Sequence, residues 1–207
     1  MSNAEQILRV ATELFATLGY EGTSLQAIAD RVGVTKQTLL YHYPSKEELR
    51  RAVLDQVFGH FRERLPQMLQ AVTSGKGRFD ALTQELLDFF GADDNRARLV
   101  LREFLDNPDG MRRLLAENMR PWLLLIGQYV REGQALGLIH ADVDPEAYLV
   151  NVNFSLLTTI AVRTVGRDLL AAEGDSDEDV HARQMKEMLR IHREALFAKR
   201  AVAAVKE

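Results

Sequence analysis

Apolar side chains recur along this chain at intervals of three and four residues, the period of a helix with one buried face. Ile7, Val10, Ala11, Leu14, Phe15 and Leu18 trace the first such face, and Gly19 stands where a C-terminal glycine ends a helix. A second, short helix opens at Thr23 with Gln26 as its capping-box partner, and presents Leu25, Ile28, Ala29 and Val32 on one side. Gly33 and Val34 separate it from a third helix, capped by Thr35 and running to about Tyr43, where Pro44 blocks continuation. Ser45 caps a fourth, with Glu48 at its N3 position, and this helix carries Val53, Leu54, Val57, Phe58, Phe61 and Leu65.

Beyond Pro66 the pattern is cut by loop signals. Ser74-Gly75-Lys76-Gly77 predicts a loop before a helix over about 79–90. Gly91 to Asn95 predicts a break before a short helix near 97–105, and Asn107-Pro108-Asp109-Gly110 predicts a turn. Pro121 kinks or splits the next helix, whose second part runs from Trp122 to about Leu136 and ends at Gly137. Asp144 as N-cap, Pro145 at N1 and Glu146 in the first turn start a helix through Tyr148, Leu149, Val152, Phe154, Leu156, Leu157, Ile160 and Val165. Its apolar face is wide enough for burial on more than one side. An acidic loop over 174–179 precedes a last helix with Val180, Met185, Met188, Leu189, His192, Leu196 and Phe197. No segment alternates like a strand and no repeat stands out, so the chain reads as all-α.

Composition narrows the class. A chain of 207 residues, 46% hydrophobic and 27% charged, can bury a core without a disulfide or metal staple. The absence of cysteine excludes a disulfide framework, a thiolate metal site and a cysteine nucleophile. The longest strongly apolar run, Trp122 to Val130, falls well short of the roughly 18 residues of a membrane span. No basic-then-apolar segment marks export, so a soluble, cytoplasmic protein with no membrane partner is expected. A formal net charge of −4 argues against a general polyanion binder. The charge is uneven, however. Residues 1–51 hold six basic and six acidic side chains, so all of the −4 belongs to residues 52–207. Arg31 to Lys46 holds three basic residues and no acidic one.

That basic stretch overlies two short helices joined by Val32-Gly33-Val34, a helix-turn-helix in which glycine supplies the positive φ of the sharp turn. The second helix of such a unit can enter the DNA major groove with its N-terminal residues at base edges. Here those residues are Thr35, Lys36, Gln37 and Thr38, followed by Tyr41, His42 and Lys46. Two short helices around a glycine turn also occur in proteins that never touch DNA, and on spacing alone both readings stand.

The segment Ile7-x-x-x-Ala11-x-x-Leu14-Phe15-x-x-x-Gly19-Tyr20-x-x-Thr23-Ser24-x-x-x-Ile28-Ala29-x-x-x-Gly33-Val34-Thr35-x-x-Thr38-Leu39 resembles the DNA-binding domain of the TetR family of bacterial transcription regulators. The likeness continues through His42-Tyr43-Pro44-Ser45-Lys46-Glu47-Glu48-Leu49, and covers about the first 50 residues without a gap. It implies a three-helix DNA-binding domain over 1–50, with its helix-turn-helix at about 24–43, and a larger helical effector-binding and dimerisation domain over 51–207. It implies base-edge contacts from Lys36, Gln37 and Thr38. Phosphate contacts would come from Thr35, His42 and Lys46, with Gln26 at the helix edge. The family usually carries tyrosine where this chain has Leu40, so Tyr41 or His42 must supply that phosphate contact, or it is missing. The implied partners are double-stranded operator DNA and a second copy of the chain, paired through helices about 145–170 and 180–200.

The body offers large soft side chains, most of them ordinary core. A pocket for a small apolar or aromatic effector, as the family layout implies, would draw on Phe61, Phe89, Phe104, Met119, Trp122 and Tyr129. Arg163, with Arg102 and Asn118, would orient the ligand or else be paired elsewhere. Glu178-x-x-His181 has the spacing of a di-iron bundle but lacks the second copy and further glutamates such a site needs, so no metal or cofactor is expected. No cluster of nucleophile, base and orienting group suggests an enzyme. The rival reading is a helical small-molecule-binding protein or enzyme whose helix-turn-helix is only scaffold.

Overall fold

The computed structural model describes residues 2–71 and 75–198. Among these, eleven helices form in the order α1 (Asn3–Gly22), α2 (Leu25–Val32), α3 (Lys36–His42), α4 (Lys46–Ala71), α5 (Gly75–Gly91), α6 (Asp94–Asp106), α7 (Pro108–Asn118), α8 (Arg120–Ala135), α9 (Pro145–Ala161), α10 (Arg163–Leu170) and α11 (Asp177–Leu196). No strand forms among them. A single antiparallel bridge pairs Ile139 with Phe197 and ties the end of α11 to the loop after α8.

Most starts and stops follow the local chemistry. Ser2 and Glu5 form a capping box on α1, and Gly19 kinks that helix with φ of 80° before it resumes for a short turn to Gly22. Thr35, Ser45 and Asp144 cap α3, α4 and α9 as expected. Gly33 takes the left-handed conformation, φ 82°, between α2 and α3. The cap of α2 is Ser24 rather than Thr23, its hydroxyl accepting from the Ala27 N–H at 3.0 Å. Thr23 is buried instead and donates to the carbonyl of Gly19 at 2.8 Å, which locks the kink of α1. Gln26 is therefore no capping partner; its amide donates to Asp30 one turn on, at 2.7 Å.

α4 continues through Pro66, and Leu65 and Leu69 on either side of it pack on the body. Three expectations fail further on. Gly75, Lys76 and Gly77 belong to α5 rather than to a loop; Ser74 lies outside the described residues. The long helix expected from Pro145 through Val165 is two helices, α9 and α10, bent by 77° at Val162. No glycine or proline marks that bend. It is set by tertiary packing: Ile160 and Ala161 are buried in the main core while α10 lies on α11, and Arg98 Nε donates to the carbonyl of Ala161 at 3.0 Å. The final helix begins at Asp177, earlier than about 180, because Ser176 and Asp179 form a capping box; residues 199 and 200 of the expected helix are outside the described residues. No single helix among those described is long and apolar enough to cross a membrane.

The main core joins the N-terminal helices to the body. Ile7, Phe15, Ile28, Leu39 and Leu49 are fully buried, and they share one apolar cluster with Leu99, Val100, Met111 and Ile160. α1 is the hub. It packs on α2, α3 and α4 and, most extensively, on α6.

Candidate functional site

The helix-turn-helix holds its second helix by one inward side chain. Leu39 is fully buried beneath α1 and α2, and this turns the opposite face of α3 to solvent. On that face Lys36 and Gln37 are exposed, and Tyr41, one turn after Gln37, is 84% exposed with its ring edge against His42. This face of α3 thus offers an ammonium, an amide and a phenol to solvent. Thr35 and Thr38 are less free. The Thr35 hydroxyl accepts from the Thr38 N–H at 3.1 Å, and the two hydroxyls share a hydrogen bond at 2.9 Å. Leu40 is half-buried, so of the two residues expected to replace its phosphate contact, Tyr41 is the one that reaches outward. Lys46 lies with its ammonium 4.2 Å from the centre of the Tyr20 ring, and Gln26 is engaged with Asp30. The open members of the set are Lys36, Gln37 and Tyr41.

Behind this surface stands a charged link that the sequence reading missed. Arg50, in the second turn of α4, grips Glu103 of α6 with two nitrogens, Nε at 3.0 Å from Oε1 and Nη2 at 2.7 Å from Oε2. Their side chains are only 11% and 4% exposed. The Arg50 guanidinium also lies 4.3 Å from the Tyr20 ring of α1. Burial disfavours the charged form of Arg50, but the hydrogen bonds and charge of Glu103 outweigh it, and its pKa is raised. One buried ion pair thus joins α4 and α6, with α1 stacked on it. Glu103 gave a signal that went unread: an acid one turn after Leu99, on the apolar face of its helix, requires a buried cationic partner.

Glu103 is flanked on α6 by Val100 and Phe104, and both line a cavity of about 550 Å³ in the body. Five of the seven expected ligand residues are gathered there: Phe61, Phe104, Met119, Trp122 and Tyr129. Two are not. Phe89 faces away from the cavity, between the His60 ring at 4.1 Å and the Arg96 guanidinium at 4.4 Å, and its neighbour Phe90 lines the wall instead. Arg163 begins α10 and pairs with Asp94 at 3.8 Å, outside the cavity. Asn118 is buried between Arg62 and the carbonyl of Leu114, and Arg102 reaches the carbonyl of Thr17, so neither points into the cavity. The additional lining from α5 and α9, including Leu86, Tyr148 and Val152, was legible only as core. No group of three metal-ligating side chains forms among the described residues, Glu178 and His181 included.

A helix-turn-helix with its second helix turned outward, on a helical body that encloses an apolar cavity, is the build of a helical bacterial regulator. The family described as bacterial regulatory proteins, tetR family, matches residues 7–53. The HTH-type transcriptional regulator LmrA of Bacillus subtilis is 34% identical over 133 residues, 62% of this chain and 71% of that protein. The chain belongs to the TetR family. The HTH-type transcriptional activator FasR of Mycolicibacterium smegmatis is 35% identical over 95 residues, 46% of this chain and 43% of FasR, so the shared region spans less than half of that relative. The structure of the ketosteroid transcriptional regulator KstR2 of Mycobacterium tuberculosis superposes with a TM-score of 0.71 over 96% of each chain at 15% identity, which shows a common fold.

Proposed function

We propose that this protein is a ligand-responsive repressor that binds a palindromic operator as a homodimer. Residues 1–50 act as the reading head and 51–207 as the effector and dimer body. The observation that carries the reading is the outward face of α3, where Lys36, Gln37 and Tyr41 stand free on a helix fixed by the buried Leu39. Lys36 suits guanine and Gln37 adenine in the major groove, while Tyr41 and the Thr35 hydroxyl suit phosphate.

The dimer surface in this reading is the outer side of α9, α10 and α11. Phe154, Val165, Leu169 and Ile191 are exposed there, Leu169 by 79%, more apolar area than a solitary face leaves in water. A two-fold pair sets two α3 helices about one turn of B-DNA apart or somewhat more, and this spacing demands an inverted repeat. An apolar effector in the cavity presses on Val100 and Phe104 of α6, and Glu103 passes the displacement through Arg50 to the start of α4 and, at Tyr20, to α1. The effector releases the operator only if it binds the two head spacings with different affinity.

Selection of genomic fragments retained by the purified protein tests the proposal. Recovered fragments should share an inverted repeat, and their affinity should fall steeply with salt as phosphate contacts are screened. A failure to retain any duplex at low salt would favour the scaffold reading instead.

A further inference from the structure

The polar groups of the cavity fall into two sets. Those in its interior are already committed. The Thr83 hydroxyl donates to the carbonyl of Phe79 at 2.8 Å, the Tyr148 hydroxyl to that of His192 at 2.7 Å, and the Asn153 amide to that of Leu149 at 2.7 Å. Glu85, the one acidic residue of the wall among the described residues, is paired with His60 at 2.7 Å and with Arg64 at 3.2 Å. Burial holds the Tyr148 phenol well above its ordinary pKa, so it stays neutral. An occupant finds little inside but carbon: Phe58, Phe61, Leu86, Phe90, Ile126 and Val152 are typical of the lining.

The second set is cationic and lies at the margin. Arg112 shares one face of α7 with Leu115, Ala116 and Met119, at helical spacing, and Arg120 follows at the start of α8. Both line the cavity and both are exposed. The ion pair of Arg112 with Asp109 is 3.6 Å long between side chains 80% and 76% exposed, a contact that little holds in place. Arg120 has no partner among the described residues. Arg78, the third arginine in the wall, lies against the Tyr129 ring at 4.1 Å. Among the described residues, three guanidinium groups therefore border the cavity, while the one carboxylate is matched by Arg64 and His60 from outside the lining.

We infer that the effector is an anionic amphiphile: an extended hydrocarbon chain buried in the cavity, with a carboxylate or phosphate-bearing head held at the α7–α8 margin by Arg112 and Arg120. This rests on the reading of the cavity as the effector site. A neutral apolar molecule would leave the margin cations unused, and a compact polar one would strand its groups against carbon. A planar guanidinium fork suits either head. The chain is supplied by a free fatty acid or by a fatty acyl thioester of a phosphate-bearing carrier, which share this chemistry.

Trp122 lines the cavity and is the only tryptophan, so its fluorescence reports filling. The full-length protein is titrated with dodecanoate, dodecanol and dodecanoyl-coenzyme A. Dodecanoate or the thioester should bind at least about tenfold more tightly than dodecanol, the size of one good charge-assisted contact. Affinity should rise along a series from octanoate to dodecanoate, as more methylenes are buried. R112Q/R120Q should erase the preference for the anion, whereas R113Q, an exposed neighbour outside the lining, should keep it. Matching thermal midpoints show that both variants are folded. Binding of the free acid or of the thioester alone identifies the source of the chain. Equal binding of dodecanol, retention of the anion preference in R112Q/R120Q, or no binding of either anion overturns the inference. No DNA enters this titration, so a failure of operator binding would strike the regulator reading and leave this result standing on its own.

Discussion

Lys36, Gln37 and Tyr41 stand apart from the other predicted DNA-contact residues because of what their neighbours do. The family resemblance put Thr38 with Lys36 and Gln37 at the base edges, and Thr35, His42 and Lys46 at phosphates with Gln26 a weaker candidate, since matched positions say nothing of a side chain's local partners. The structure ties the two threonines to each other, lays Lys46 on Tyr20 and holds Gln26 on Asp30. The threonine and Gln26 bonds lie within one helical turn and depend on rotamers, whereas the Lys46 contact joins residues distant in sequence; periodicity specifies neither. His181 shows the same limit. Its spacing from Glu178 matched a di-iron motif that the sequence reading set aside, and nothing in that spacing showed that its Nδ1 is buried, with no hydrogen-bond partner among the described residues, near Arg163 and Asp94. Burial, helped by Arg163 and opposed by Asp94, lowers its pKa from the ordinary 6.5. The folded state thus takes up that proton at lower pH than the unfolded chain does. The stability His181 confers is complete above the ordinary value and is lost as pH falls below it toward the folded value. H181N should flatten this part of the decline in a thermal-melting series between pH 7 and about 5.5, where histidines titrate.

At the scale of the element, caps and turns were legible and tertiary breaks were not. Ser45, Asp144-Pro145 and Gly33 each act within one turn of chain, and each was placed correctly. The 77° bend at Val162 and the passage of α4 through Pro66 are decided by what the helices rest on. Arg50 and Glu103 belong to the same scale, because they join α4 to α6 across 53 positions of sequence. E103A leaves the Arg50 guanidinium buried without its partner and should destabilise the fold by about 3 kcal/mol, measured by urea unfolding. R50M/E103L, which removes both charges, should recover much of that loss and yet weaken the coupling between effector and operator. Recovery of stability with coupling intact would show that the pair only holds the helices together.

At the scale of the whole molecule, charge is divided between an acidic body and a locally basic N-terminal segment. The net charge of −4 belongs to residues 52–207, while the cationic character near the DNA surface is confined to the stretch from Arg31 to Lys46. In the proposed dimer, a head with so little charge of its own would gain affinity from being paired. L169E/I191E places carboxylates on the exposed apolar face of α10 and α11. It should shift the protein to monomer in analytical ultracentrifugation and reduce operator affinity by about two orders of magnitude, the scale of a lost second attachment. The central claim is that α3 reads DNA. It is tested most directly by fluorescence anisotropy on a selected fragment, with the wild-type protein and K36A/Q37A titrated side by side. Wild type should saturate the fragment, and the double variant, equally folded, should bind at least about tenfold more weakly, since one good base contact contributes 1–3 kcal/mol. Equal affinity of the two proteins would contradict the account.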